Sequence, residues 1–126
     1  MSTLIATLPK LAHDWLKHEL DITFTRAAMV VASGAGVVVT GTVLGQITAT
    51  KKLVPISFAA VDGSESAFGI LLNVVDATAA DVETACIVRD AKIVENQLVW
   101  PAGATSNQKT AALAQLAAKG IISHQR

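Results

Sequence analysis

The chain has 126 residues, ten of them lysine or arginine and ten aspartate or glutamate, so its formal charge at pH 7 is +0. That length makes one domain around one core, and without a basic excess a protein that grips nucleic acid by neutralising phosphates is excluded. Charged residues are only 16% against 52% hydrophobic; this excludes intrinsic disorder and leaves few solvated groups for a surface, which points to partners that cover part of it.

Residues 1–8 carry little pattern. Leu8, Leu11, Ala12, Trp15, Leu16 and Leu20 recur at three- and four-residue intervals, which predicts a short amphipathic helix from Pro9 to Leu20 with the proline in its first turn. Pro9, Lys10, His13 and Asp14 interrupt any apolar signal segment, so no secretory leader is expected. Asp21 to Arg26 alternates polar and apolar residues and predicts a short extended arm.

From Ala27 to Thr50 the sequence holds no charge and includes a small-xxx-small pattern, Gly41-Thr-Val-Leu-Gly45. A membrane-spanning helix with a packing motif would look like this. The turn cluster Ser33-Gly34-Ala35-Gly36, the valines around it and the alternation from Gln46 to Thr50 predict strands instead, over 27–32, 37–43 and 44–49. No membrane partner is therefore expected.

Lys51-Lys52 reads as a tight connection into Leu53-Val54-Pro55-Ile56, with the proline marking an edge or a strand end. Asp62-Gly63-Ser64-Glu65-Ser66 is a solvated turn. Phe68 to Val75 is a near-continuous apolar run, as in a strand buried on both faces or lying at a subunit seam. Residues 76–83 read as a loop with a helical turn, and 84–89 and 92–94 as short strands. A C-terminal helix follows, capped by Ser106, with Ala111, Ala112, Leu113, Leu116 and Ala117 on one face, Lys119 in its last turn and Gly120 to stop it. Ile121-Ile122 returns to strand character. The sum is an α+β protein: a β-rich compact domain of short strands with one C-terminal helix over 27–126, preceded by an N-terminal arm with a short helix over 1–26.

Residues that could carry chemistry are few. Cys86 is the one cysteine, in the apolar run Ala85-Cys-Ile-Val88, and reads as a buried structural thiol. His13 and His18 are five apart and diverge around a helix, so no metal site is expected. Gly34-Ala-Gly36 precedes valines and not a helix N-terminus, which excludes a phosphate cradle and any nucleotide cofactor. Asp62 and Glu65 sit in a polar turn and read as solvated residues. No serine has a nucleophile-elbow context, so an enzyme is not expected. Trp100-Pro101, where the chain leaves a strand and turns into the last helix, reads either as a core lid or as an anchor at a subunit seam.

An ordered series of short motifs resembles the lambda-type head decoration proteins of tailed bacteriophages. Thr25-Arg26, Val30, Ser33-Gly34 and Gly41-Thr-Val-Leu-Gly45 open the series. Val43-Leu-Gly-Gln-Ile-Thr48 with Lys52-Leu-Val-Pro55 is similar to a hairpin of that family, and Asp62-Gly63, Ala67-Phe-Gly-Ile-Leu71 and Val75-Asp-Ala77 to its next segment. Arg89, Leu98-Val-Trp-Pro-Ala102, Lys109, Ala112 and Gly120-Ile121 complete it, so the resemblance runs from about Thr25 to Ile122. It implies a structural virion protein, made in the host cytoplasm. Such a protein binds as homotrimers at threefold positions on the outer surface of the expanded head and cements the shell against the pressure of packaged DNA. It also implies that an N-terminal segment adds a strand to the major capsid protein. Here that segment would be Leu20, Asp21, Ile22, Thr23, Phe24, Thr25 and Arg26, with Trp100 and Pro101 anchoring the trimer or the core.

A different reading of the same hairpin is also open. Val43-Leu-Gly-Gln-Ile with a lysine in the following turn resembles biotinyl or lipoyl carrier domains, in which Lys51 or Lys52 would be the modified residue.

Overall fold

The computed structural model describes residues 15–19 and 25–123. Ten strands occur among them: β1 (Leu16–Glu19), β2 (Arg26–Val31), β3 (Gly36–Val38), β4 (Val43–Gln46), β5 (Leu53–Pro55), β6 (Ala67–Leu71), β7 (Val75–Ala77), β8 (Val82–Ile87), β9 (Ala91–Ile93) and β10 (Ile121–Ser123). A 3₁₀ turn spans Glu95–Gln97, and the one α-helix described, α1, spans Ser106–Ala117. Strands β2, β5, β4, β6 and β8 close into a small barrel, β2 pairing antiparallel with β8 over its whole length. A three-stranded sheet in the order β1-β9-β10 and a two-stranded ribbon, β3 with β7, complete the fold.

The apolar runs of the sequence follow from this closure. Each barrel strand sends one side chain inward, Val31, Leu53, Leu44, Leu71 and Cys86, into a cluster closed by Val38, Val75 and Ala77 of the ribbon. Their neighbours Val43, Ile70 and Ile87 point the other way, against Ala112 and Leu116 of α1 and Ala91, Ile93 and Ile121 of the three-stranded sheet. Both faces of β4 and β6, and of the end of β8 at Cys86–Ile87, are therefore buried, so these stretches show no polar–apolar alternation. Fully burying a Leu or Ile stabilises by roughly 1.5–3 kcal/mol.

Helix α1 packs on β6, and its Gln115 side chain accepts a hydrogen bond from Ala67 N at 2.7 Å. Its cap is Thr105 rather than Ser106. The Thr105 hydroxyl accepts from Gln108 N at 3.2 Å, and the Gln108 side chain accepts from Thr105 N at 2.9 Å, a reciprocal capping box. Only Ala112 and Leu116 are buried, whereas Ala111 and Ala117 are exposed, so the apolar face is narrower than its alanines suggest. Gly120, at φ +84°, stops the helix as expected.

Several other elements differ from the sequence reading. Residues 16–19, expected in a helix, form β1, because pairing with β9 (Leu16 opposite Ile93, Glu19 opposite Ala91) outweighs a weak local preference; residues 9–14 and Leu20 lie outside the described residues. The expected strand 37–43 breaks at Thr40–Gly41 into β3 and β4, which belong to different sheets. The run 68–75 ends at Leu71, and Val74 is exposed. Residues 76–83, expected as a loop with a helical turn, hold the end of β7 and the start of β8.

Trp15, read on a helix face, is the largest buried side chain, at 0% exposure. Its indole Nε1 donates to Thr40 Oγ1 at 2.9 Å, and that hydroxyl donates in turn to Leu72 O at 2.6 Å. Its carbonyl accepts from Val94 N at 2.7 Å. Trp15→Ala is expected to destabilise the fold by about 3–5 kcal/mol in denaturant unfolding. Trp15→Phe keeps most of the packing but removes the hydrogen bond to Thr40, whose hydroxyl keeps its bond to Leu72 O, and is expected to cost about 0.5–1.5 kcal/mol.

Three surface aspartates are held below the ordinary aspartate value of 3.8. Lys52 and then Ser33 N stabilise the charged form of Asp81. The hydroxyls and backbone N–H groups of Thr78 and Ser64 do the same for Asp76 and Asp62. A carboxylate depressed in the folded state lends stability that is complete above its unfolded value and is lost as pH falls through the folded one. The melting temperature is therefore expected to hold from neutral pH to about pH 4 and to fall below it. Asp81→Asn is expected to lower the melting temperature at pH 6 and to match the parent at pH 2.

Candidate interaction surface

Two regions gather the residues that the sequence singled out. The first is the junction on either side of residues 20–24. Glu19, at the end of β1, takes Arg26 in a two-point contact: Nε donates to Oε2 at 2.8 Å and Nη2 to Oε1 at 2.7 Å. Thr25 Oγ1 donates to the same Oε2 at 2.7 Å. The hydrogen bonds from Arg26 to this carboxylate raise the guanidinium further above its ordinary value.

Thr25 is buried, and its carbonyl accepts from Val88 N at 2.9 Å; Arg26 opens β2 opposite Ile87. Of these two residues, read as the end of an arm, Arg26 lies in barrel strand β2 and Thr25 immediately precedes it. Leu20, Asp21, Ile22, Thr23 and Phe24 lie outside the described residues, between a clamped Glu19 and a buried Thr25. Nothing in the sequence flagged the clamp, because Glu19 and Arg26 are seven residues apart and sit in different elements.

The second region surrounds Trp100 and Pro101. Val99 bridges in parallel to Thr42, with Val99 N donating to Gly41 O at 2.9 Å and Val43 N to Val99 O at 3.2 Å. This pins the turn before α1 onto the barrel. Trp100 is half-buried and stacks on Phe58, their ring centroids 6.5 Å apart. Beside it a notch of about 190 Å³ opens between the ribbon and the barrel, lined by Val37, Val39, Thr42, Pro55, Val99 and Pro101 among others. Val37, opposite Asp76 in the ladder of β3 with β7, is 64% exposed, and Val39 and Val74, which flank that ladder, are 41% and 58% exposed. Three consecutive valines gave no sign of which would face outward.

The remaining candidates are placed as follows. Cys86 lies inside the barrel, where burial pushes its thiol up to about 12 and leaves it protonated and unreactive. Asp62 accepts from Ser64 N at 3.0 Å and Ser64 Oγ at 2.6 Å, and Glu65 accepts from Gly63 N at 2.9 Å, so both carboxylates hold their own turn together. Gly34 N donates to Ala77 O at 2.7 Å, which ties the glycine turn to β7. Lys51 is exposed at the tip of the β4–β5 hairpin with φ +63°, while Lys52 Nζ lies 2.6 Å from Asp81 Oδ2. His13 and His124 lie outside the described residues. Among those residues no group of three or more histidine, cysteine, aspartate or glutamate side chains could hold a metal ion.

Removing Arg26 takes two hydrogen bonds away from a largely buried carboxylate. Arg26→Met is expected to cost about 1–3 kcal/mol, with a double-mutant cycle against Glu19→Gln giving a coupling above about 0.5 kcal/mol. A coupling near zero would mean that the pair is a solvent-screened surface contact.

No curated protein matches the chain significantly. The family model of the bacteriophage lambda head decoration protein D matches residues 5–121. That stretch takes in Trp15, the Glu19–Arg26 clamp, the whole barrel, the Trp100 turn and α1. The family is a structural one whose members bind the phage head, and the match also covers the lysine hairpin, which leaves the carrier-domain reading without support. With nearly its entire length inside the match, the chain belongs to the bacteriophage lambda head decoration protein D family.

Proposed function

We propose that this protein cements a phage head: homotrimers bind at threefold positions on the outer surface of the expanded shell, contact the major capsid protein and resist the outward pressure of packaged DNA. The match to the head decoration family over residues 5–121 carries this reading. Other features support it. The chain is neutral, so it has no basic excess to draw it to the phosphates of the packaged DNA.

The capsid contact is assigned to residues 1–14 together with Leu20–Phe24. The first segment runs into β1, and β1 lies at the edge of its three-stranded sheet. A chain leading into an edge strand is well placed to add a strand to a neighbouring sheet, with main-chain hydrogen bonds for affinity and alternate side chains for specificity. In Leu20–Phe24 the alternate residues are Ile22 and Phe24. A single such segment pays ordering entropy and binds weakly; three on one trimer raise the overall affinity by about 10²–10⁴ through effective concentration.

The test is co-sedimentation of the purified protein with expanded, undecorated heads, counted per capsid subunit. Saturation near one copy per subunit on expanded heads, with none on unexpanded shells, is the expected result. No binding at any concentration would overturn the decoration reading. A variant lacking residues 1–14 keeps Trp15 and the Glu19–Arg26 clamp; it is expected to melt like the parent and to lose saturation. If it still saturates heads, the assignment of the capsid contact to this segment is wrong.

A further inference from the structure

We infer that the bond between Asp62 and Gly63 is a site of spontaneous rearrangement to isoaspartate, and that the turn around it holds this reaction in check. Asp62-Gly63 is the one Asp-Gly pair in the sequence, and no Asn-Gly pair occurs. Glycine after an aspartate lets the next backbone nitrogen reach the side chain with the least steric hindrance. The fold requires both residues. Gly63 has φ +106°, and a Cβ on it would collide with Thr48 Oγ1 and Gln46 O. Asp62 builds the turn by accepting from Ser64 N at 3.0 Å and Ser64 Oγ at 2.6 Å. A tight turn packed on the β4–β5 hairpin therefore brings a labile peptide bond with it.

The reaction needs no co-reactant but water. Gly63 N attacks Asp62 Cγ: a C–N bond forms, a carboxyl C–O bond breaks, and the amide proton leaves with the hydroxyl as water. Water then opens the five-membered imide. Opening at the side-chain carbonyl restores aspartate. Opening at the main-chain carbonyl routes the backbone through Cβ and Cγ, which adds one carbon to it and turns the former peptide carbonyl into a free carboxylate. The attack requires a neutral carboxyl that can swing onto Gly63 N. Both conditions are opposed here, because the two bonds from Ser64 favour the ionised form of Asp62 and tie its carboxylate to residue 64. Gly63 N is itself engaged, donating to Glu65 Oε1 at 2.9 Å. The anchor is fixed too: Ser64 is buried, and its carbonyl accepts from Ser57 N at 3.0 Å. Asp62 O, the carbonyl that would become a carboxylate, accepts from Thr48 N at 2.9 Å and joins the turn to the hairpin. Each rearrangement would undo that joint.

The experiment is prolonged incubation of the full chain at pH 6, below its melting temperature, with isoaspartate at residue 62 counted by peptide mapping and by enzymatic methylation of the new carboxylate. The folded parent is compared with the parent unfolded in guanidinium and with folded Ser64→Ala, which removes one donor at little change in volume; thermal melts check its fold. The folded parent is expected to rearrange at least about tenfold more slowly than the unfolded chain, and Ser64→Ala about tenfold faster than the folded parent, the factor that one hydrogen bond to a charged group is worth. A folded parent that rearranges as fast as the unfolded chain would overturn the inference, and so would a folded Ser64→Ala that is as slow as the parent. If Ser64→Ala does not fold, the comparison of folded with unfolded parent decides alone.

Discussion

The fold depends on the burial of Trp15. Only 4% of the residues are aromatic and none is tyrosine, so the core consists mainly of Val, Leu, Ile and Ala, and one indole fills space that several such side chains would need. Its position makes it more than filler. The ring N–H is satisfied by Thr40, whose hydroxyl passes a hydrogen bond to Leu72, and its backbone carbonyl takes Val94 N. One residue near the start of the described chain thus joins the turn between β3 and β4, the end of β6 and the segment after β9. A buried polar relay of this kind is stabilising only when each member has its partner, and here no buried side-chain polar atom lacks one among the described residues.

From that anchor the order of the molecule follows. Trp15 fixes β1 against β9, and the Glu19–Arg26 clamp holds the end of β1 to the start of β2. The barrel then closes by pairing β2 with β8. Close backbone approach tightens it further: a Cβ on Gly45 would lie 2.2 Å from Ser64 O, so the loop after β5 lies directly on β4. Only glycine allows that contact, and the loop has no room to retreat without breaking the hydrogen bond from Ser57 N to Ser64 O.

How much of this was legible in the sequence varies with the kind of information each element carries. The C-terminal helix and its glycine stop were readable because cap, periodicity and stop are local. Even there the cap moved by one residue, since Thr105 and Ser106 are both able caps and the reciprocal bond of Gln108 selects the first. The barrel strands were readable as strands but not as partners, because valine and isoleucine runs state burial and not register. Trp15 and β1 were misread: their spacing fits a helix, and only the distant β9 makes them a strand. Of the interaction surface, Trp100-Pro101 stood out as an unusual pair, while the exposure of Val37 and Val39 was hidden in Val37-Val-Val39. The clamp was invisible, since it is made by two ordinary charged residues brought together by folding.

The burial of both strand faces also gives the exposed valines their meaning. A sheet with one wet face spreads polar and apolar side chains over its outside, and a single exposed valine there says little. In this chain the barrel strands spend their apolar residues inward on one side and against α1 and the three-stranded sheet on the other. Several charges lie in turns and connections, among them Asp62, Asp81 and Lys51. Against that background the ribbon buries Val38 and Val75 on its inner face and sets the exposed Val37 beside Asp76 on its outer face, with exposed Val39 and Val74 at its ends. Two short strands of three residues each cannot hold such a ribbon in water by their own pairing. Burial of the inner face fixes it to the barrel, and the exposed valines remain as apolar surface whose removal from water is still available to drive association.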